Sequence, residues 1–83
     1  KALIAHAAVY NWFTQIGSDF GFTDSRFPEF WEDPTIFQRS SPHFGAGNFK
    51  TPTLVIHGQL DYRVPVNHGI ELYHTLKKRN VPT

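Results

Sequence analysis

The stretch "TPTLVIHGQLDYRVP", residues 51–65, decides the fold. Thr53, Val55 and Ile56 are β-formers in an apolar run bounded by Pro52 and Gly58, as expected of a central parallel strand. The segment that follows, "VNHGIELYHTLKKRN" (66–80), spaces Val66, Ile70, Tyr73 and Leu76 as one stripe of an amphipathic helix. Asn67 is placed to cap its start. Lys77, Lys78 and Arg79 suit the negative end of the helix dipole, and Asn80 can adopt the left-handed stop before Val81 and Pro82. Between strand and helix, Leu60, Asp61, Tyr62 and Arg63 occupy the loop beyond the strand's carboxyl end. Open parallel α/β sheets gather functional groups in that crevice.

Working outward, "ALIAHAAVY" (2–10) is a near-continuous apolar run without alternation, which predicts a second strand buried on both faces over 1–10. From 11 to 48 the chain makes an aromatic, turn-rich excursion broken by Gly17, Gly21, Pro28, Pro34, Pro42, Gly45 and Gly47. Inside it "FPEFWED" (27–33) and "DPTIFQRSSP" (33–42) read as single helical segments. Asp33 caps the second, Pro34 opens it and Pro42 stops it. Residues 49–83 then supply strand, loop and helix. The order is that of an α/β parallel sheet. Two strands leave edges and apolar faces open, so strands are expected on either side of this sequence. Lys1 in place of an initiator Met points the same way: this is expected to be part of a longer chain.

Composition narrows the function classes. With 40% hydrophobic and 18% charged residues, the 83-residue chain has a globular rather than a disordered profile. A domain of this size buries roughly 60% of its unfolded surface, so its core is thin. The formal charge of +1 is too small for the basic footprint of a nucleic-acid binder. Residues 1–48 carry three basic and five acidic groups and 49–83 five and two, a mild asymmetry. The apolar start is too short to span a bilayer. No cysteine is present, so neither a disulfide framework nor a thiolate metal site is available. His68 and His74 stand six apart on the predicted helix, not the four that sets two ligands on one face, so no zinc site is expected.

Asp61 is the candidate catalytic acid. A carboxylate on such a loop can hold a histidine in the tautomer that activates a serine. It can equally cap its own loop or pair with Arg63, and structural acids outnumber catalytic ones. His57, at the end of the strand, reads as a structural imidazole with a backbone partner, and Tyr62 as a packing residue. His6 ends the first strand, where it could line the crevice, and His43 sits in a turn beside Pro42. Trp12, Phe13, Phe20, Phe22, Phe27, Phe30, Trp31 and Phe37 form either a local core under the excursion or the wall of a pocket or interface.

The segment "KTPTLVIHGQLDYRVPVNHGIELYHTLKKRNVP" (50–82) closely resembles the catalytic region of prolyl oligopeptidase-family serine peptidases, especially the dipeptidyl-peptidase and acylaminoacyl-peptidase branches. The opening "KALIAHAAVYN" (1–11) resembles the preceding strand of the same family, and 12–48 follows it more weakly through "SSP". The resemblance implies part of an α/β-hydrolase fold, usually accompanied by a β-propeller, that cleaves short peptides with a Ser, Asp, His triad and no cofactor. Its "HG", two residues, "D-x-R-V-P" motif lands the triad acid on Asp61 and a substrate-binding residue on Arg63. The departure is the missing Gly-x-Ser-x-Gly elbow. Ser18, Ser25, Ser40 and Ser41 lack the flanking glycines. The family's order puts the serine before Lys1 and the histidine after Thr83, so these 83 residues alone are expected to be inactive. An esterase with the same acid, and a non-catalytic interaction domain on the same scaffold, stay open as alternatives. The implied partners are a short peptide, the rest of the catalytic domain and a propeller, with no nucleic acid or membrane. A homo-oligomer is left open.

Overall fold

A computed structural model describes residues 1–18 and 28–83. Two short strands, β1 (Leu3–His6) and β2 (Thr53–Ile56), pair in parallel with Leu3 opposite Thr53 and His6 opposite Ile56. Backbone bonds from Leu3 N–H to the Pro52 carbonyl and from Ala7 N–H to the Ile56 carbonyl, both 2.9 Å, close the ladder at its two ends. β1 is shorter than the apolar run that announces it. Ala7 turns to φ 49°, a left-handed conformation that costs a non-glycine residue about 1 kcal/mol and ends the strand.

β2 makes one further backbone bond beyond the two-stranded sheet. Thr53 N–H donates to the Pro82 carbonyl at 2.9 Å on the edge away from β1, so the chain leaving the last helix comes to lie along β2. β2 thus pairs with β1 on one edge and makes a single backbone bond on the other. The faces are another matter: Ile4 is 70% exposed and Leu54 56% exposed. Aliphatic strands with open faces belong to an α/β sheet whose covering layers lie outside this chain. The arrangement is an incomplete α/β unit, as the sequence predicts.

The described part of the excursion is built from short helical pieces. α1 (Trp12–Gln15) starts at Asn11, whose side chain accepts from Phe13 N–H at 2.9 Å. α2 (Pro34–Ser40) has the predicted opening, with the Asp33 side chain accepting from Thr35 N–H at 3.1 Å and Pro34 in the first position. A 3-10 segment, Pro42–Asn48, follows. The helix expected over 27–33 is not formed in its described part. Residues 28–33 make a turn in which Glu32 and Asp33 donate to the Glu29 carbonyl. The reason is local: the residue before a proline is pushed out of the helical region, and Asp33 must be extended to cap α2. Phe20, Phe22, Ser25 and Phe27 lie outside the described residues. Of the other aromatic side chains, Phe13 stacks on buried Phe37 with ring centroids 5.5 Å apart, and a Phe30–Trp31 edge contact faces outward.

α3 spans Asn67–Lys78. Asn67 is its first helical residue rather than its cap; Val66 stands at the cap position with helical geometry and no side-chain bond, and the His68 amide turns back to the Pro65 carbonyl instead. The helix ends as the sequence predicts. Asn80 has φ 59°, its N–H donates to the Lys77 carbonyl and the Val81 N–H to the Leu76 carbonyl, which is a Schellman stop. Leu76 and Val81 are both buried. The buried face of α3 differs from the predicted stripe. Ile70 and Tyr73 are exposed, while His68, Gly69 and Leu76 are buried. A stripe counted on apolar side chains cannot see a face whose inward members are a histidine, a glycine and Thr75, which donates to the Glu71 carbonyl and accepts from the Tyr10 hydroxyl at 2.9 Å.

Candidate active site

β2 delivers His57 and Gly58 to the sheet's carboxyl edge, where the Asp61 amide donates to the Gly58 carbonyl at 3.2 Å and turns the chain. Asp61 then folds its carboxylate onto the following backbone. Its Oδ1 accepts from Arg63 N–H at 3.1 Å and from Val64 N–H at 3.0 Å. These two donors, Val64 first, together with the positive charge of nearby His57 and Arg63, hold the Asp61 carboxyl below its usual pKa, so it stays ionised through the neutral range. Both bonds fall on Oδ1. From the described residues Oδ2 accepts none, which leaves it for a donor arriving across the crevice.

Val64 is gripped at both ends. Its carbonyl can only accept, so His57 donates to it from Nε2, at 2.5 Å. His57 in turn rests on Gly69 of α3. A Cβ at position 69 would stand 3.0 Å from the His57 Cβ and 3.2 Å from its Nδ1, tighter than most side chains pack. Gly69→Ala is expected to lower the stability of the intact protein by about 1 kcal/mol, overcrowding outweighing the better helix propensity of alanine. Thermal melts check this, and a stabilised Gly69→Ala protein would contradict the contact.

A second support reaches the loop from the first strand's side. Gln15 Nε2 donates to the Arg63 carbonyl at 2.6 Å and to Ser18 Oγ at 3.3 Å. Gln15 Oε1 accepts from His68 Nε2 at 3.0 Å, and His68 Nδ1 accepts from the Tyr10 and Asn11 amides at 3.2 and 3.3 Å. His68 is 0% exposed. Its burial, and to a lesser extent the charge of His57, push its pKa below the usual histidine value. The folded protein thus refuses a proton that the unfolded chain accepts at about pH 6.5. The stabilisation from neutral His68 is complete above that pH and is lost as the pH falls through the depressed folded value. The stability difference between wild type and His68→Asn, read by denaturation from pH 7.5 to 5, is expected to shrink with acidification. A difference independent of pH would contradict the buried neutral imidazole.

The remaining predicted residues scatter. Arg63 and Tyr62 are exposed beside Asp61, with Arg63 touching Asp61 through its backbone N–H. His6 is exposed at the end of β1, and His74 is exposed on α3. His43 contacts Tyr10 and Phe44, and its Nδ1 is buried without a partner among the described residues. Ser41 is buried and committed to packing: its Oγ donates to the Phe37 carbonyl at 2.6 Å and accepts from Trp12 N–H at 2.9 Å, tying α2 to α1. Among the described residues no three His, Cys, Asp or Glu side chains gather as a metal would require, and no helix is long and apolar enough to cross a membrane. An apolar cleft of about 350 Å³, lined by Ile4, Val9, Tyr10, Phe49 and Leu72 among others, opens on the sheet and includes none of residues 60–63. Gln15 and His68 are the site residues that sequence reasoning missed. The signal for His68 was its spacing of four, seven and eight to Leu72, Thr75 and Leu76, a helix stripe as regular as the apolar one; Gln15 gave none.

The sequence is similar to known proteins along its whole length. The chain is 32% identical over 87 residues to "Probable dipeptidyl-peptidase 5" of Aspergillus flavus, with 100% of this chain and 12% of that protein covered. It is 36% identical over 90 residues to "Dipeptidyl-peptidase 5" of Porphyromonas gingivalis, covering 99% of this chain and 13% of that protein. "Dipeptidyl-peptidase 4" of Giardia intestinalis is 38% identical over 52 residues, 63% of this chain and 7% of that protein. The chain thus spans about an eighth of the length of the first two relatives. The model of the prolyl oligopeptidase family matches residues 1–83 from end to end, and the chain belongs to that family.

Proposed function

We propose that these residues form the acid-bearing part of the catalytic domain of a serine peptidase that hydrolyses peptide bonds of short peptides, of the dipeptidyl-peptidase type. The observation that carries the reading is Asp61: an ionised carboxylate at the carboxyl end of a parallel strand, fixed by two backbone donors on Oδ1, with Oδ2 accepting none from the described residues. In the intact enzyme a serine and a histidine outside these 83 residues complete the triad. Oδ2 accepts from the histidine's Nδ1–H, which keeps the other ring nitrogen unprotonated to take the serine proton, and it stabilises the imidazolium that forms. Arg63, exposed two residues on, offers a fork of donors for a peptide carbonyl or terminus. The partners are a short peptide substrate, the rest of the domain and a β-propeller.

The names of the relatives support a peptidase. The test is to assay the intact protein on dipeptidyl arylamides and aryl esters, and to label it with a serine-directed fluorophosphonate. Labelling with release of the amine is the expected result. Ester hydrolysis alone would move the reading to an esterase, and no labelling would leave an interaction domain on the same scaffold.

A further inference from the structure

The two residues that link β1 to the acid loop do so through a fixed order of donors. His68 Nδ1 faces two backbone N–H groups, from Tyr10 and Asn11, and can only accept there. Its proton therefore sits on Nε2, which obliges the atom it meets in Gln15 to be the amide oxygen. That choice turns the Gln15 NH₂ toward the loop, where it donates to the Arg63 carbonyl at 2.6 Å. The neighbouring peptide N–H, that of Val64, is the one Asp61 Oδ1 accepts. One peptide unit, Arg63–Val64, is thus held by Gln15 at its oxygen and by Asp61 at its nitrogen. Every link is set by the one before it, and Gln15 and His68 are both buried.

We propose that Gln15 and His68 are positioning residues for the catalytic acid: they lock the Arg63–Val64 peptide so that the Asp61 carboxylate is presented in one orientation. The inference rests on the reading of Asp61 as the triad acid. It does not require either residue to touch substrate. A loop free to tilt by about 1 Å would misdirect Oδ2, and misplacements of that size cost up to about a hundredfold in rate.

The experiment is a mutant cycle in the intact protein, read as kcat on a dipeptidyl arylamide. Gln15→Met keeps the volume and removes the bonds to the Arg63 carbonyl and His68, together with the weaker one to Ser18. It is expected to lower kcat about tenfold to a hundredfold in the wild-type background. In an Asp61→Asn background it is expected to change the residual rate by less than about twofold, because residues that act as a unit are not additive. His68→Asn, whose shorter amide can still accept from the Tyr10 and Asn11 amides but does not reach Gln15, is expected to behave in the same way. If Gln15→Met does not fold, Gln15→Glu carries the test, since it keeps the shape and the His68 acceptor but sets a carboxylate oxygen against the Arg63 carbonyl. An equal loss in both backgrounds would reduce the pair to general packing, and no loss in either would remove it from the mechanism. If Asp61→Asn alone left kcat near wild type, the acid assignment itself would fail, an outcome distinct from the other two.

Discussion

Asp61→Asn in the intact protein is expected to lower kcat by about 10⁴-fold while leaving the fold and melting temperature close to wild type. The substitution is selective because of how the carboxylate is used. Asparagine retains an Oδ1 that can accept from the Arg63 and Val64 amides, so the loop keeps its turn. What changes is the other atom. An NH₂ in place of Oδ2 donates instead of accepting, and a histidine arriving there is pushed into the tautomer that cannot take the serine proton. Asp61→Ala makes the complementary control: it loses the activity and both loop bonds, so it is expected to melt below Asp61→Asn. Steady-state kinetics on a dipeptidyl arylamide, with melts alongside, separates the two. An Asp61→Asn enzyme within tenfold of wild type would mean that Asp61 only shapes its loop.

Leu76→Ala is expected to cost the intact protein about 2–5 kcal/mol, the range for truncating a buried leucine whose surroundings cannot collapse. Leu76 is 2% exposed and stands at the junction of three features. Its carbonyl receives the Val81 amide of the helix stop, Val81 is itself buried, and the residue after Val81, Pro82, accepts from Thr53 on β2. A cavity there loosens the stop and with it the far edge of β2. The loss is a large share of the roughly 5–15 kcal/mol that keeps a domain folded, so a drop of several degrees in melting temperature should accompany it. Lys78→Ala, exposed two residues on, should stay within about 0.5 kcal/mol of wild type. A Leu76→Ala protein as stable as that control would overturn this account of the helix stop.

The parts of this fold that were legible in the sequence are those whose causes lie within a few residues. β2 follows from β-formers between Pro52 and Gly58, α2 from Asp33 and Pro34, and the end of α3 from Asn80, which takes the left-handed stop itself. Asp61 was legible as a position, because a loop after a central strand faces the crevice wherever the rest of the chain goes. What escaped depends on distant partners. Ile70 and Tyr73 counted as core by spacing, but the inner face of α3 is chosen by His57 pressing on Gly69 and by Tyr10 bonding His68 and Thr75. Gln15 is buried because a carbonyl 48 residues later needs its amide, and no local pattern records that need.

The register of β1 against β2 has a consequence for how the chain is made. Leu3 finds its partner, Thr53, fifty residues later. At about 5–20 residues per second of synthesis, β1 therefore waits roughly 3–10 s outside the ribosome before the strand that shields its edge exists. During that interval the edge of "LIAH" that β2 will cover is unpaired, open to pairing with a similar segment nearby. The aromatic excursion fills the wait. Asn11 can cap α1, and Ser41 can tie α2 to α1, before β2 is translated. These local bonds need no residue beyond Ser41, whereas the pairing of β1 needs Thr53, so the excursion's turns can close before the sheet does.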